Sequence, residues 1–72
     1  MANFSERMTE LFETRNVTKR ALSQAVDVSE RMIQYYVTGK KSPTMETLIA
    51  LADYFQVSLD YLVGRSDEPE RR

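Results

Sequence analysis

Apolar residues recur every three or four positions along most of the chain, and a small polar residue precedes each apolar segment. The residues that share one helical face in the first segment are Phe4, Met8, Leu11 and Phe12. Asn3 stands just before them and Glu6 follows three residues later, which is the pattern of a capped helix start. The chain has only two glycines and two prolines, too few for a fold with many β turns. The pattern therefore predicts an all-α fold.

Four further segments repeat this arrangement and bring the predicted number of helices to five. Their predicted cap residues are Thr18, Ser29, Thr44 and Ser58. The residues expected to face the core are Ala21, Leu22, Ala25 and Val26 in the second helix, Ile33, Tyr36 and Val37 in the third, Leu48, Leu51, Ala52 and Phe55 in the fourth, and Leu59, Leu62 and Val63 in the fifth.

Glycine and proline mark the ends of these segments. Gly39 and Gly64 follow the third and fifth helices, where a positive φ angle costs glycine little. Pro43 lacks an amide hydrogen and predicts a loop before the fourth helix. Residues 1–65 are thus expected to form one domain, and residues 66–72, which are polar and charged, a C-terminal tail.

A chain of 72 residues without cysteine or histidine must be held together by apolar packing. It can form no disulfide and lacks the usual zinc ligands, so we expect no metal and no cofactor. An enzyme is not expected, because the usual nucleophile–base pairs are missing and the carboxylates of Glu10 and Glu13 lie on a solvated helix face. No apolar run approaches the ~20 residues that span a bilayer, and the N-terminus does not resemble a signal peptide. We expect a cytoplasmic protein without membrane contact.

Charge is unevenly distributed along the chain, although its net value is only −1. Residues 15–41 contain six basic and two acidic residues, a balance of +4, whereas residues 1–14 carry −2 and residues 42–72 carry −3. The chain therefore has a basic middle between acidic ends. Such a segment can attract an anionic partner such as nucleic acid, or it can be an ordinary solvated surface.

The second and third predicted helices are short and lie three or four residues apart, which is typical of a helix-turn-helix. The crossing of two such helices needs small residues, and Ala21, Ser23 and Ala25 are available for it. The turn needs a residue that tolerates the left-handed region, and Asp27 is an acceptable one.

The third helix would leave a polar face free to enter a DNA groove. The residues of this face are Glu30, Arg31, Gln34, Tyr35 and Thr38. Arginine favours guanine, glutamine favours adenine, and glutamate can accept from cytosine, while the tyrosine could stack on a sugar or touch a thymine methyl. The same composition also fits an ordinary surface helix.

Basic residues, with one threonine beside them, flank this face on both sides. The flanking residues are Thr18, Lys19 and Arg20 at the start of the second helix and Lys40 and Lys41 after the third. A helix N-terminus already attracts phosphate through its free amides and dipole. We therefore expect backbone phosphate contacts at both flanks, which set register and orientation on a duplex.

Three stretches of the chain resemble the Cro and phage-repressor (XRE-type) helix-turn-helix family. Residues 18–29 (TKRALSQAVDVS) look like the first half of its helix-turn-helix motif. Residues 39–44 (GKKSPT) resemble the loop after its recognition helix, and residues 48–62 (LIALADYFQVSLDYL) are similar to its last two helices. The resemblance covers about residues 4–64. It implies a five-helix bundle of the lambda-repressor-like DNA-binding type.

The resemblance also implies roles for individual residues. Positions that read bases in the family are occupied here by Ser29, Glu30, Arg31, Gln34 and Tyr35, and positions that contact the DNA backbone by Lys19, Lys40 and Lys41. Three positions depart from the family pattern, with Lys19 in place of a glutamine, Asp27 in place of the turn glycine, and Val37 in place of a glutamate.

These observations predict a sequence-specific DNA-binding transcriptional regulator, most simply a repressor that binds a palindromic operator as a homodimer. Tyr61 and Val63 on the fifth helix are candidates for the dimer contact, or they simply complete the core. The alternative is an antitoxin or another protein-binding regulator that uses the same fold, with a toxin as its partner and DNA binding secondary. The acidic segment 42–72 supports this alternative.

Overall fold

Five side-chain caps set the helix starts in the computed structural model, which describes residues 3–65. The helices are α1 (Phe4–Arg15), α2 (Lys19–Val26), α3 (Glu30–Thr38), α4 (Met45–Phe55) and α5 (Leu59–Leu62). In each case the cap oxygen accepts a hydrogen bond from the amide three residues later, and the five cap residues are Asn3, Thr18, Ser29, Thr44 and Ser58. All five predicted caps are confirmed. The predicted tail at residues 66–72 lies outside the described residues.

Three helices end at a non-glycine residue in the left-handed conformation. Asn16, Asp27 and Gln56 have φ angles of 55°, 57° and 57°. At Asp27 and Gln56 the next residue also bonds back into the helix, so that the Val28 and Val57 amides donate to carbonyls five residues earlier. The prediction that Asp27 occupies the left-handed region is confirmed.

The core draws on every helix. Its buried apolar residues are Met8, Leu11, Leu22, Val26, Ile33, Tyr36, Leu51, Ala52, Phe55, Val57, Tyr61 and Leu62. Partly buried residues that pack against it include Phe4, Phe12, Val37 and Leu48. The predicted apolar faces of α1, α3 and α4 are therefore confirmed, with their outer members only partly buried. Apolar packing holds the helices together, with α3 against both α1 and α2.

The predicted buried face of α2 is wrong in two of its four members. Leu22 and Val26 are buried, but Ala21 and Ala25 are exposed and Ser23 is half-buried. An eight-residue helix on the surface of the bundle needs only one row of side chains, four residues apart, to attach it. The alanines therefore lie beside the helix crossing rather than within it.

The fifth helix also turns differently from the prediction. Leu59 was expected to face the core but is 39% exposed, while Tyr61 and Leu62 are buried. α5 is a single turn of four residues, and the two side chains that it directs inward are its last two. Gly64 follows it with a φ of 85°, as expected for a closing glycine.

Candidate nucleic-acid interface

The turn between α2 and α3 is fixed by short-range hydrogen bonds. The amides of Asp27 and Val28 both donate to the Ser23 carbonyl, the second at 3.2 Å. The Ser29 hydroxyl oxygen then accepts from the Met32 amide at 3.1 Å and begins α3. These bonds set the direction in which α3 leaves the turn.

The inner face of α3 is anchored by Ile33 and Tyr36, which are 0% and 4% exposed. The Tyr36 ring makes an edge contact with Phe4 of α1, with 5.9 Å between ring centroids. A recognition helix must be rigid to read bases, and this packing supplies the rigidity.

The outer face of α3 brings most of the predicted base-reading residues together. Glu30, Arg31, Gln34 and Thr38 are exposed, whereas Tyr35 is half-buried. Within residues 3–65, the charged or amide ends of the first three have no hydrogen-bond partner. Their polar ends are therefore available to a ligand. The Thr38 hydroxyl instead donates to the Gln34 carbonyl at 2.9 Å.

The predicted phosphate-binding residues lie at the surface on either side of α3 in the chain. Thr18 caps α2, and Lys19 and Arg20 form its exposed first turn. Lys40 and Lys41 follow α3 and are also exposed. Among the residues that the structure describes, no carboxylate forms an ion pair with these four cations or with the Arg31 guanidinium. Their charges are free to interact with an anionic partner.

One arrangement at the end of α3 was not predicted from the sequence. The ammonium nitrogens of Lys40 and Lys41 lie 5.9 Å and 5.2 Å from the centroid of the Tyr35 ring. Their spacing of five and six residues from Tyr35, with Gly39 between, was the only signal of this contact. A ring expected to face DNA is thus shared by the two lysines.

The two residues proposed for the dimer contact differ in exposure. Tyr61 is only 6% exposed, so little of its ring is left for a second subunit. Its hydroxyl donates to Glu10 at 2.9 Å, and burial together with this hydrogen bond raises the pKa of Tyr61 above its ordinary value. Val63 is half-buried, and the nearby Leu59 offers more apolar surface than either.

The described residues show neither a metal site nor a membrane segment. No group of three or more acidic residues is arranged to hold a metal ion within residues 3–65. In the same range no helix combines the length and apolarity needed to cross a bilayer.

A family model described as "Helix-turn-helix" matches residues 9–62. Among curated relatives, the cryptic phage CTXphi transcriptional repressor RstR of Vibrio cholerae is 32% identical over 60 residues, which is 83% of this chain and 54% of the relative. The HTH-type transcriptional activator BcrR of Enterococcus faecalis is 32% identical over 61 residues, 85% of this chain and 30% of the relative. The chain spans between 30% and 60% of the length of the curated relatives that it matches.

A solved structure agrees with these sequence matches. The crystal structure of the P22 c2 repressor protein in complex with a synthetic operator superimposes with a TM-score of 0.84 at 27% identity, covering 92% of this chain and all of the repressor chain. The five-helix bundle of the lambda-repressor-like type is therefore confirmed. On the family match and this fold together, the chain belongs to the XRE-type helix-turn-helix family.

Proposed function

We propose that the protein is a sequence-specific DNA-binding transcriptional regulator that places α3 in the major groove. The observation that carries this proposal is the set of free polar ends on a rigid helix, those of Glu30, Arg31 and Gln34. Each can form hydrogen bonds with a base edge that distinguish one base pair from another. Membership in a helix-turn-helix family, with relatives named as repressors, also supports a role in binding DNA rather than in catalysis.

The flanking cations support the same proposal. Lys19, Arg20, Lys40 and Lys41 are exposed and have no ion-pair partner within residues 3–65. We assign them to phosphate contacts, with the Thr18 hydroxyl as a further donor near the same surface, and we keep Ser29 with the residues assigned to base reading. Phosphate contacts hold the helix in register but carry no sequence information of their own.

A homodimer on a palindromic operator is the second part of the proposal. The longest dimension of the described bundle is 27 Å, less than the ~34 Å between half-sites one helical turn apart. Two copies can therefore lie side by side on one face of a duplex. Leu59 of α5 and Val63, which follows the helix, are the apolar residues that remain available for this contact.

Repression is the simplest mode of regulation, since a bound dimer can block a promoter, and one curated relative is named as a repressor. Another is named as an activator, and transcription from a promoter that carries the selected duplex would distinguish the two modes. A regulator of this kind would act in the cytoplasm, where DNA is accessible.

Selection from random-sequence duplexes at near-physiological salt tests the proposed function directly. We expect a single enriched motif with two-fold symmetry. If a dimer makes roughly 6 phosphate contacts, the logarithm of affinity should fall with the logarithm of salt concentration with a slope near −5. Enrichment of no motif would refute sequence-specific binding, and a motif without symmetry would refute the dimer.

A protein partner such as a toxin is the alternative, and one surface feature favours it. Met45 and Ile49 are one helical turn apart on α4 and are 63% and 45% exposed, within the segment of charge −3. Affinity capture from the source cell, with and without DNA, separates the two functions. Capture of a small toxin that competes with DNA would favour the alternative.

A further inference from the structure

We propose that Tyr35 is a positioning residue that holds Lys40 and Lys41, the lysine pair, as one phosphate clamp, and that it does not read a base. The proposal rests on the proposed function, because it concerns the same DNA surface. It changes the role that the sequence suggested for Tyr35 and leaves base reading to the other residues on the outer face of α3.

The backbone brings the lysine pair back toward Tyr35. Gly39 ends α3 in the left-handed conformation with a φ of 82°. The chain therefore reverses direction, and the Gly39 amide donates a hydrogen bond to the Tyr35 carbonyl oxygen. The amides of Lys40 and Lys41 donate to the same oxygen, at 2.9 Å and 3.4 Å. The start of both lysine side chains is thus fixed relative to Tyr35.

The side chains complete the arrangement. Both ammonium nitrogens lie within the ~6 Å over which an aromatic ring attracts a cation. The ring is half-buried, whereas Arg31 and Gln34 on the same face of α3 are exposed. A long lysine side chain loses rotamer freedom when it binds a phosphate. A ring that restricts both lysines beforehand lowers this cost.

Electrostatics explains why such a pair would favour phosphate. Two ammonium groups that share one ring repel each other, and within residues 3–65 no carboxylate is paired with either. A phosphate bound by both ammonium groups would offset this repulsion and gain two charge-assisted hydrogen bonds. Because every nucleotide carries a phosphate, the clamp contributes equally to all sequences.

The test is a cycle of variants measured on a selected duplex and on a random duplex. Tyr35→Leu removes the ring, Tyr35→Phe keeps the ring and removes only the hydroxyl, and both are made with and without the Lys40→Ala/Lys41→Ala double substitution. We expect Tyr35→Leu to weaken binding to both duplexes by the same factor, about threefold to tenfold. The effect should vanish without the lysine pair, and Tyr35→Phe should behave like the wild type.

A measurement on the free protein makes the test independent of DNA. The ring current of Tyr35 should shift the NMR signals of the lysine ε-methylene protons, and Tyr35→Leu should return them to ordinary values while Tyr35→Phe preserves the shift. Thermal melts confirm that the variants are folded.

Three results would overturn the proposal. The first is a change of preferred base in Tyr35→Phe. The second is a loss of affinity on Tyr35→Leu that is just as large when the lysine pair is absent. The third is that the chemical shifts of the lysine ε-methylene protons are the same with and without the Tyr35 ring. If the wild type binds DNA but prefers no sequence, the proposed sequence-specific function is refuted. The variant cycle measured on the random duplex still shows whether Tyr35 and the lysine pair act together as a clamp.

Discussion

The guanidinium carbon of Arg7 lies 4.1 Å from the centroid of the Tyr61 ring, and Arg7 Nε donates to the Tyr61 carbonyl at 3.0 Å. Arg7 is 6% exposed and also contacts Glu10 at 3.4 Å. A second oxygen of Glu10 accepts from the Tyr61 hydroxyl at 2.9 Å. This group joins α1 to α5 and satisfies a charge that would otherwise be costly to bury.

Replacement of Arg7 should destabilise the protein. Arg7→Met removes the donor to the Tyr61 carbonyl and the cation above the ring, and we expect the free energy of unfolding to fall by about 2 kcal/mol. Urea denaturation at neutral pH measures this change. Arg20→Met is the matched control, since Arg20 is exposed and forms no ion pair within residues 3–65, and it should change stability by less than about 0.5 kcal/mol. Equal effects of the two substitutions would contradict a structural role for Arg7.

Stability should depend on pH through Tyr61 in the alkaline range. Burial, first, and the hydrogen bond to Glu10 raise the pKa of Tyr61 in the folded state. The unfolded chain then releases this proton at a lower pH than the folded protein, so the stabilisation is complete below pH about 10 and is lost as pH rises through the folded pKa. Chemical denaturation at a series of pH values, compared with Tyr61→Phe, isolates this effect. A difference between the two proteins that stays constant above pH 10 would contradict it.

A glycine at the turn between α2 and α3 should stabilise the protein. Asp27 has a φ of 57°, a conformation that costs a residue with a Cβ more than it costs glycine. After the larger entropy of the unfolded glycine chain is subtracted, Asp27→Gly should raise the free energy of unfolding by about 0.5 kcal/mol. Thermal or urea denaturation provides the measurement. Ala25→Gly, at an exposed helical position of α2, is the control and should lower stability by up to about 1 kcal/mol. Destabilisation by both substitutions would refute the argument from φ.

Base reading and phosphate contact should separate in binding assays. Arg31→Ala should weaken binding to the selected duplex by about 1–3 kcal/mol and relax the preference at one base pair, with little effect on random DNA. Lys40→Ala should weaken both duplexes alike and, because each subunit of a dimer loses one phosphate contact, reduce the magnitude of the salt slope by about 2. Fluorescence anisotropy at several salt concentrations measures both. Identical behaviour of the two variants would show that the proposed division of roles is wrong.

Local features of the fold were predictable from the sequence because they depend on residues close together in the chain. A cap such as Ser29 bonds to an amide three residues later, and the left-handed conformation of Asp27 follows from the end of α2 beside it. The outer face of α3 was likewise predictable from its spacing. Most of the candidate site lies on this one helix and its immediate flanks. Its residues could therefore be predicted without knowing which distant parts of the chain are in contact.

What the sequence alone determined is therefore the number of helices, where they begin and end, and which residues form the outer face of α3 and its flanks in the chain. The tertiary structure decided which apolar side chains are buried where helices meet. Ala25 and Leu59 are exposed, whereas Tyr61 is buried. It also decided the contact between Arg7 and Tyr61, which are 54 residues apart. The physical reason is that helix caps and turns are settled within a few residues, whereas burial depends on how separate helices pack against one another.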